Sequence, residues 1–212
     1  MKTLLYKDLH MMKFIIIILV VLQITFSVIT FISNDNSLLT IMYPTLLAGM
    51  FAASTFSYDE KYKTAIYNSI LPCSKKVAVA AKYLFAFLIV VLLIVIQIII
   101  NIITENVFPI EKSINNSSLI AILLIGGLLT PSIVFPLNYK FGFDKSKIIY
   151  YITLGLIFGL IGFSSGYIHE AEIVIPDKIV LPNSYLLIII AVGIYIVSWL
   201  ISSLIVKKNN FK

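Results

Sequence analysis

The stretch "AVAAKYLFAFLIVVLLIVIQIIINII", residues 78–103, runs 26 residues with one charge, Lys82, near its start. A helix needs about 20 apolar residues to cross the hydrocarbon core of a bilayer, so this run reads as a membrane span. Working outward, five more runs of that kind appear: 14–32, 38–57, 119–137, 148–168 and 185–206. Composition agrees, with 60% of the 212 residues hydrophobic and 12% charged, where a soluble domain carries about 25% charge. The chain is therefore expected to be a single all-α integral membrane domain, residues 1–212, with six transmembrane helices. The first run is too long for a signal peptide, and no small-residue cleavage site follows it.

All sixteen basic residues are lysine, and the formal net charge is +6. Sorted by loop, fourteen lysines fall on the side of the two termini, and only Lys112 and Lys178 fall on the other. Such asymmetry marks the cytoplasmic side, so both termini are expected there, in a multi-pass membrane protein. The basic charge lies in short loops beside apolar runs, which points to topology rather than to nucleic acid. Without arginine, no bidentate fork is available for a phosphate or carboxylate. In the N-terminal segment 1–13, Met1, Leu4, Leu5, Leu9 and Met12 recur at helical spacing away from Lys2, Lys7 and Lys13. That pattern predicts an amphipathic helix lying on the inner leaflet, separate from the first span.

Motifs that suggest chemistry are weak. "GFSSG", 162–166, matches G-x-S-x-G, but Ser164 lies in an apolar run where no strand-to-helix elbow is expected. Gly155, Gly159, Gly162 and Gly166 step by four, three and four, and share one helix face suited to close backbone approach. That face serves packing within the chain or a contact in a dimer. "HEAE", 169–172, has one histidine and too few ligands for zinc. Cys73, the sole cysteine, excludes an intrachain disulfide and a cysteine zinc cluster; no metal is expected. Gln97 and Asn101, four apart in the third span, line a translocation path or bond between helices, as do Gln23, Thr130, Ser132, Ser198 and Ser202 elsewhere. No acid or lysine lies deep in a span by these boundaries. Pro44, Pro131 and Pro136 are expected to kink or break their helices, the fourth span most of all, because Gly126-Gly127 precedes Pro131. No G-x-x-x-x-G-K-[ST] occurs, so the chain has no P-loop for ATP.

The longest charged insert joins the second and third spans: "SYDEKYKTAIYNSILPCSKKVAVAAKYL", 57–84. Tyr62, Ala65, Ile66, Ser69 and Ile70 share a helical face, with Asp59 and Glu60 in the first turn, where negative charge suits the helix dipole. Pro72 disfavours a helical Leu71, and Ser74 can cap the next helix, which carries Lys75, Lys76 and Lys82. Segment 58–77 thus reads as helix, sharp turn, helix on the cytoplasmic side. Anionic lipid attracts its lysines but repels Asp59 and Glu60 and needs no proline-fixed turn, so docking into a protein cleft explains more.

The insert resembles the signature region of ABC-2-type transporter permeases. An aromatic-x-D-E-K opening is followed by an L-P-x-S-[RK]-x-x-[IV]-V-x-x-K-Y-[LI]-like segment, matched by Asp59, Glu60, Lys61, Leu71, Pro72, Ser74, Lys75, Val79, Lys82, Tyr83 and Leu84. Lys75 stands where the family often has arginine, and Cys73 where it often has a small apolar residue. "PLNYKFGFDKSKIIYY" is similar to the family's second cytoplasmic loop, through Phe141, Gly142, Phe143, Asp144 and Lys145. The opening "MKTLLYKDLHMMK" is similar to its amphipathic start. The resemblance implies a permease subunit that is not itself an enzyme. It would pair as a homo- or heterodimer on two copies of a separate ATPase, which binds ATP and Mg. Asp59, Glu60, Lys61, Tyr62, Lys63, Ile66, Leu71, Pro72, Ser74, Lys75 and Lys76 would form the coupling helix seated in the ATPase. Relatives of this kind export amphipathic cytolytic peptides of the phenol-soluble-modulin type, or peptide antibiotics. The competing readings are a non-transporting membrane protein that confers immunity by sequestering a peptide toxin, and an intramembrane hydrolase built on Ser164.

Overall fold

The computed structural model describes residues 2–33, 38–62, 75–107, 116–149, 151–152 and 184–208. They form helices α1 (Lys2–Ser33), α2 (Leu38–Ala53), α3 (Thr55–Lys61), α4 (Lys75–Val107), α5 (Asn116–Phe141) and α6 (Ser184–Lys208), with a further helical stretch at 143–149. No strand occurs among the described residues. Four of these helices are long and apolar enough to cross a membrane: Thr3–Thr30, Lys76–Thr104, Ser118–Phe141 and Ser184–Lys208. They cover the first, third, fourth and sixth expected spans. The fifth, 148–168, lies almost wholly outside the described residues, as do Gly155, Gly159, Gly162 and Gly166.

The second expected span, 38–57, is divided at Ser54. α2 ends at Ala53 and α3 begins at Thr55, yet Ser54 N–H donates to Met50 O (3.2 Å) and to Phe51 O (3.0 Å), and Tyr58 N–H donates to Ser54 O (3.3 Å). The chain keeps its helical path while the turn tightens. The side chains explain it: Ser54 Oγ donates to Phe51 O (2.6 Å) and Thr55 Oγ1 to Ala52 O (2.8 Å), competing with the regular ladder.

The N-terminal segment corrects the sequence reading. Residues 1–13 were expected as a separate interfacial helix, but Lys2–Ser33 is one unbroken helix of 32 residues. No glycine or proline interrupts it, and one buried stripe runs its length: Leu4, Asp8, Met12, Leu19, Gln23 and Ser27. Leu9, assigned to the apolar face, is exposed, and Asp8 takes the buried place instead. α5 continues through both Pro131 and Pro136 without a break.

α5 is the centre of the bundle. It packs against α6, α2 and α4, while α1 covers α4 and α2. Two-thirds of its apolar window is buried (67%), against 17–33% for the other three long helices. Small residues permit the approach. A Cβ on Gly49 of α2 would lie 2.6 Å from Pro131 Cδ and Thr130 Cβ, and one on Gly127 of α5 would lie 2.5 Å from a Val90 methyl of α4. Phe135, Leu123 and Leu128 of α5, Leu93 and Val90 of α4 and Leu19 of α1 fill the core.

α1 and α4 run parallel in a fixed register. Asp8 meets Lys82 near their starts, and Gln23 meets Gln97 about 22 Å further along, both pairs 74 residues apart in sequence.

Candidate coupling site at the lysine-rich end

Three side chains of the short helix α3 reach four neighbouring elements. Phe56 points into the bundle, edge-on to Tyr139 (4.9 Å between ring centroids) and tilted against Phe135 (5.4 Å) on α5. Asp59 turns toward α1 and α4. Its Oδ1 accepts from Lys7 Nζ at 2.7 Å, and its Oδ2 lies 2.5 Å from Lys82 Nζ. Asp8 Oδ1 sits 3.6 Å from both ammoniums. Lys82 Nζ also lies 5.0 Å above the Phe56 ring, a cation–π contact strengthened by desolvation. Two lysines and two aspartates therefore close a neutral cluster in which Asp8 and Lys82 are buried at 2% and 7% exposure. Burial works to raise the Asp59 carboxyl, but the Lys82 and Lys7 ammoniums outweigh it and hold the group below its ordinary 3.8.

Glu60, the next residue, reaches a different element. Its Oε1 accepts from Phe143 N–H at 2.9 Å, at the start of the 143–149 helix. A carboxylate there satisfies a free donor and complements the helix dipole. Gly142 makes the corner with φ +82°, a left-handed conformation that glycine adopts without strain. Gly142 N–H donates to Asn138 O (3.0 Å), and Ser146 N–H donates to Gly142 O (3.2 Å). Buried Ser146 also bonds its hydroxyl to Asn138 Oδ1. The two stretches that stood out in the sequence, Asp59–Lys61 and Phe141–Lys145, thus touch through Glu60.

Lys82 and Tyr83 divide their neighbours in the same way. Tyr83 faces away from the ion cluster into the α5–α6 interface, where its hydroxyl lies 2.7 Å from both Ser198 Oγ and Ser202 Oγ. Tyr195 OH donates to Tyr83 O (2.6 Å), and Ser198 Oγ donates to Ser132 O (2.7 Å). With the Ser198 proton committed to Ser132, Tyr83 donates to Ser198 and accepts from Ser202.

The structure turns Asp59 inward, where the sequence reading had it facing a partner's groove. What α3 does present outward is Lys61 and Tyr62, both exposed, with the ammonium 5.8 Å over the ring and Tyr62 stacked on Tyr58 at 6.4 Å. Phe141, Asp144 and Lys145 are exposed nearby in the chain, and Phe143 is half-buried. Lys63, Ile66, Leu71, Pro72 and Ser74 lie outside the described residues; Lys75 opens α4 and Lys76 is exposed. Gln97 is buried and tied to α1, accepting from Gln23 Nε2 (2.5 Å) and Ser27 Oγ (2.7 Å), which is the interhelical bonding of the two readings given above. Asn101 is half-buried, and its carbonyl accepts from Thr104 Oγ1 (2.8 Å).

Sequence reasoning missed the ion cluster. Lys82 stands two turns inside α4, and Asp8 belongs to the buried stripe of α1, so the apolar helices do bury charge at this end. The available signal was the pairing of Lys7-Asp8 with Asp59 and Lys82, four charges that sum to zero beside apolar runs.

A profile of the ABC-2 family transporter proteins matches residues 3–207. No curated protein and no solved structure matches the chain. Since the family match takes in every described helix, and the motif stretches meet at one end of an apolar helical bundle, this chain belongs to the ABC-2 transporter family, as an ABC-2-type permease of the membrane.

Proposed function

We propose that the chain is the permease subunit of a bacterial ABC exporter that moves amphipathic peptides or hydrophobic drugs across the cell membrane. ATP is hydrolysed by a separate ATPase, two copies of which dock on a homo- or heterodimer of permeases. Six spans with cytoplasmic termini suit the lysine distribution, and a separate ATPase suits both the ABC-2 family match and a sequence in which no P-loop occurs. The observation that carries the reading is α3. Its inner side is joined to α1, α4 and the 143–149 helix, while Lys61 and Tyr62 project outward and lead into the expected coupling segment. A push delivered at Lys61 and Tyr62 is therefore delivered to the bundle. The cargo class is supported by the middle of the described spanning helices, where the buried polar side chains are Gln, Ser and Thr.

The test is purification of the tagged chain in mild detergent beside Lys61→Glu/Tyr62→Ala, followed by reconstitution with a fluorescent amphipathic helical peptide. These substitutions spare the inward-facing Asp59. The wild type is expected to retain an ATP-hydrolysing partner and accumulate peptide on ATP addition, and the variant to lose most of both. If no ATPase accompanies the wild type, the exporter reading fails and peptide-toxin sequestration takes its place. If the complex forms but moves only small ions, the cargo class is wrong.

A further inference from the structure

Buried ion pairs stabilise a fold poorly. Desolvation offsets most of the attraction, and apolar side chains of the same volume often serve as well. Here Asp8 Oδ1 lies 3.6 Å from both ammoniums, beyond hydrogen-bond range, so its burial is only partly offset. What the cluster supplies is position. An apolar contact slides at little cost, whereas the Asp59 carboxylate held 2.7 Å and 2.5 Å from two ammoniums has one place to sit. Those ammoniums belong to different helices, α1 and α4. The same two helices are bonded again about 22 Å along, through Gln23, Ser27 and Gln97. A parallel pair fixed at two levels moves as a unit, and α3 grips that unit at its lower level. By contrast, the direct packing of α3 on α1 is slight.

We propose that Lys7, Asp8, Asp59 and Lys82 form a charge-neutral joint that makes α3 and the parallel α1–α4 pair move as one body. Lys82 and Asp8 are positioning residues: they touch neither nucleotide nor ATPase but determine whether displacement of α3 reaches the spanning helices. The role as a transmission element rests on the exporter reading; the tether itself does not.

Spin labels at Tyr6→Cys on α1 and Tyr62→Cys beside α3, both exposed positions, in a Cys73→Ser background read the joint directly. In the isolated chain a single narrow separation is expected. Lys82→Met/Asp59→Asn removes one charge of each sign, leaving Lys7 with Asp8, so it strands no buried ion. It should broaden that separation severalfold, whereas Lys82→Arg/Asp59→Glu, which keeps every charge in its place among the four, should leave it narrow. In the ATPase complex the neutral pair should keep nucleotide hydrolysis but export at least about tenfold less labelled amphipathic helical peptide per ATP. A narrow, unchanged separation in the neutral pair overturns the joint, as does unchanged export per ATP. Failure of both double variants to fold makes the cluster a folding determinant and also overturns it. Absence of any ATPase from the wild-type complex sinks the exporter reading, while the label separations in the isolated chain still decide the tether.

Discussion

Asp59 shows how much a single carboxylate depends on its neighbours. Read along the chain, it opens a charged insert and looks available to a partner. In the fold it lies between Lys7 and Lys82, with Asp8 behind them. Its folded-state pKa is lowered, so its contribution to stability is fully present above the unfolded value of 3.8 and is lost as pH falls through the lower folded value. Thermal unfolding in detergent should show a melting temperature that declines as pH drops below 3.8, and Asp59→Asn should flatten that decline while lowering the plateau at neutral pH. An unchanged acid limb in Asp59→Asn would assign the decline to other carboxylates. Glu60, one residue on, is exposed and has a different task, because a helix rotates successive side chains by about 100° and its neighbour is the Phe143 amide.

Among the elements, α5 departs furthest from its local sequence. Proline lacks the amide proton that would serve the carbonyl four residues earlier, so Pro136 leaves Ser132 O without its helical partner. Ser198 of α6 donates to that carbonyl at 2.7 Å. The neighbour restores what the proline removed, which is how membrane helices tolerate proline, and the helix continues where a break was expected. Ser198→Ala should cost about 1–3 kcal/mol by stranding a buried acceptor. In a Pro136→Ala background the cost should shrink, since the new amide serves Ser132 from within α5. Denaturation of the four proteins closes this double-mutant cycle, and zero coupling would show that Ser198 acts independently of the proline. The same logic explains α1: nothing in residues 1–13 stops the helix, so burial of Asp8 and Met12 on the stripe of Leu19 and Gln23 decides its course.

At the scale of the molecule, burial among the described spanning helices is concentrated at α5, with α6 having only 17% of its apolar window covered. Stability should follow that gradient. Phe135→Ala, at the meeting of Phe56 and Tyr83, is expected to cost about 3–5 kcal/mol. Leu204→Ala, on the exposed face of α6, should stay within about 0.5 kcal/mol. Comparable losses at both sites in detergent unfolding would contradict a bundle organised around α5. Hydropathy made the helical class and the positions of α1, α4, α5 and α6 legible, because an apolar run of about 20 residues has few other ways to satisfy its backbone in lipid. The motif stretches Asp59–Lys61 and Phe141–Lys145 were legible as stretches. Their contact through Glu60, the inward turn of Asp59 and the burial of Lys82 were not, since each depends on residues 23 to 83 positions away brought close by packing. The sequence by itself determined which segments leave water and that the chain carries no P-loop. The tertiary structure alone decided where the few charges near those segments go, because a charge at a helix end can face solvent, lipid headgroups or an opposite charge, and only the packing of α1, α3 and α4 supplies the third.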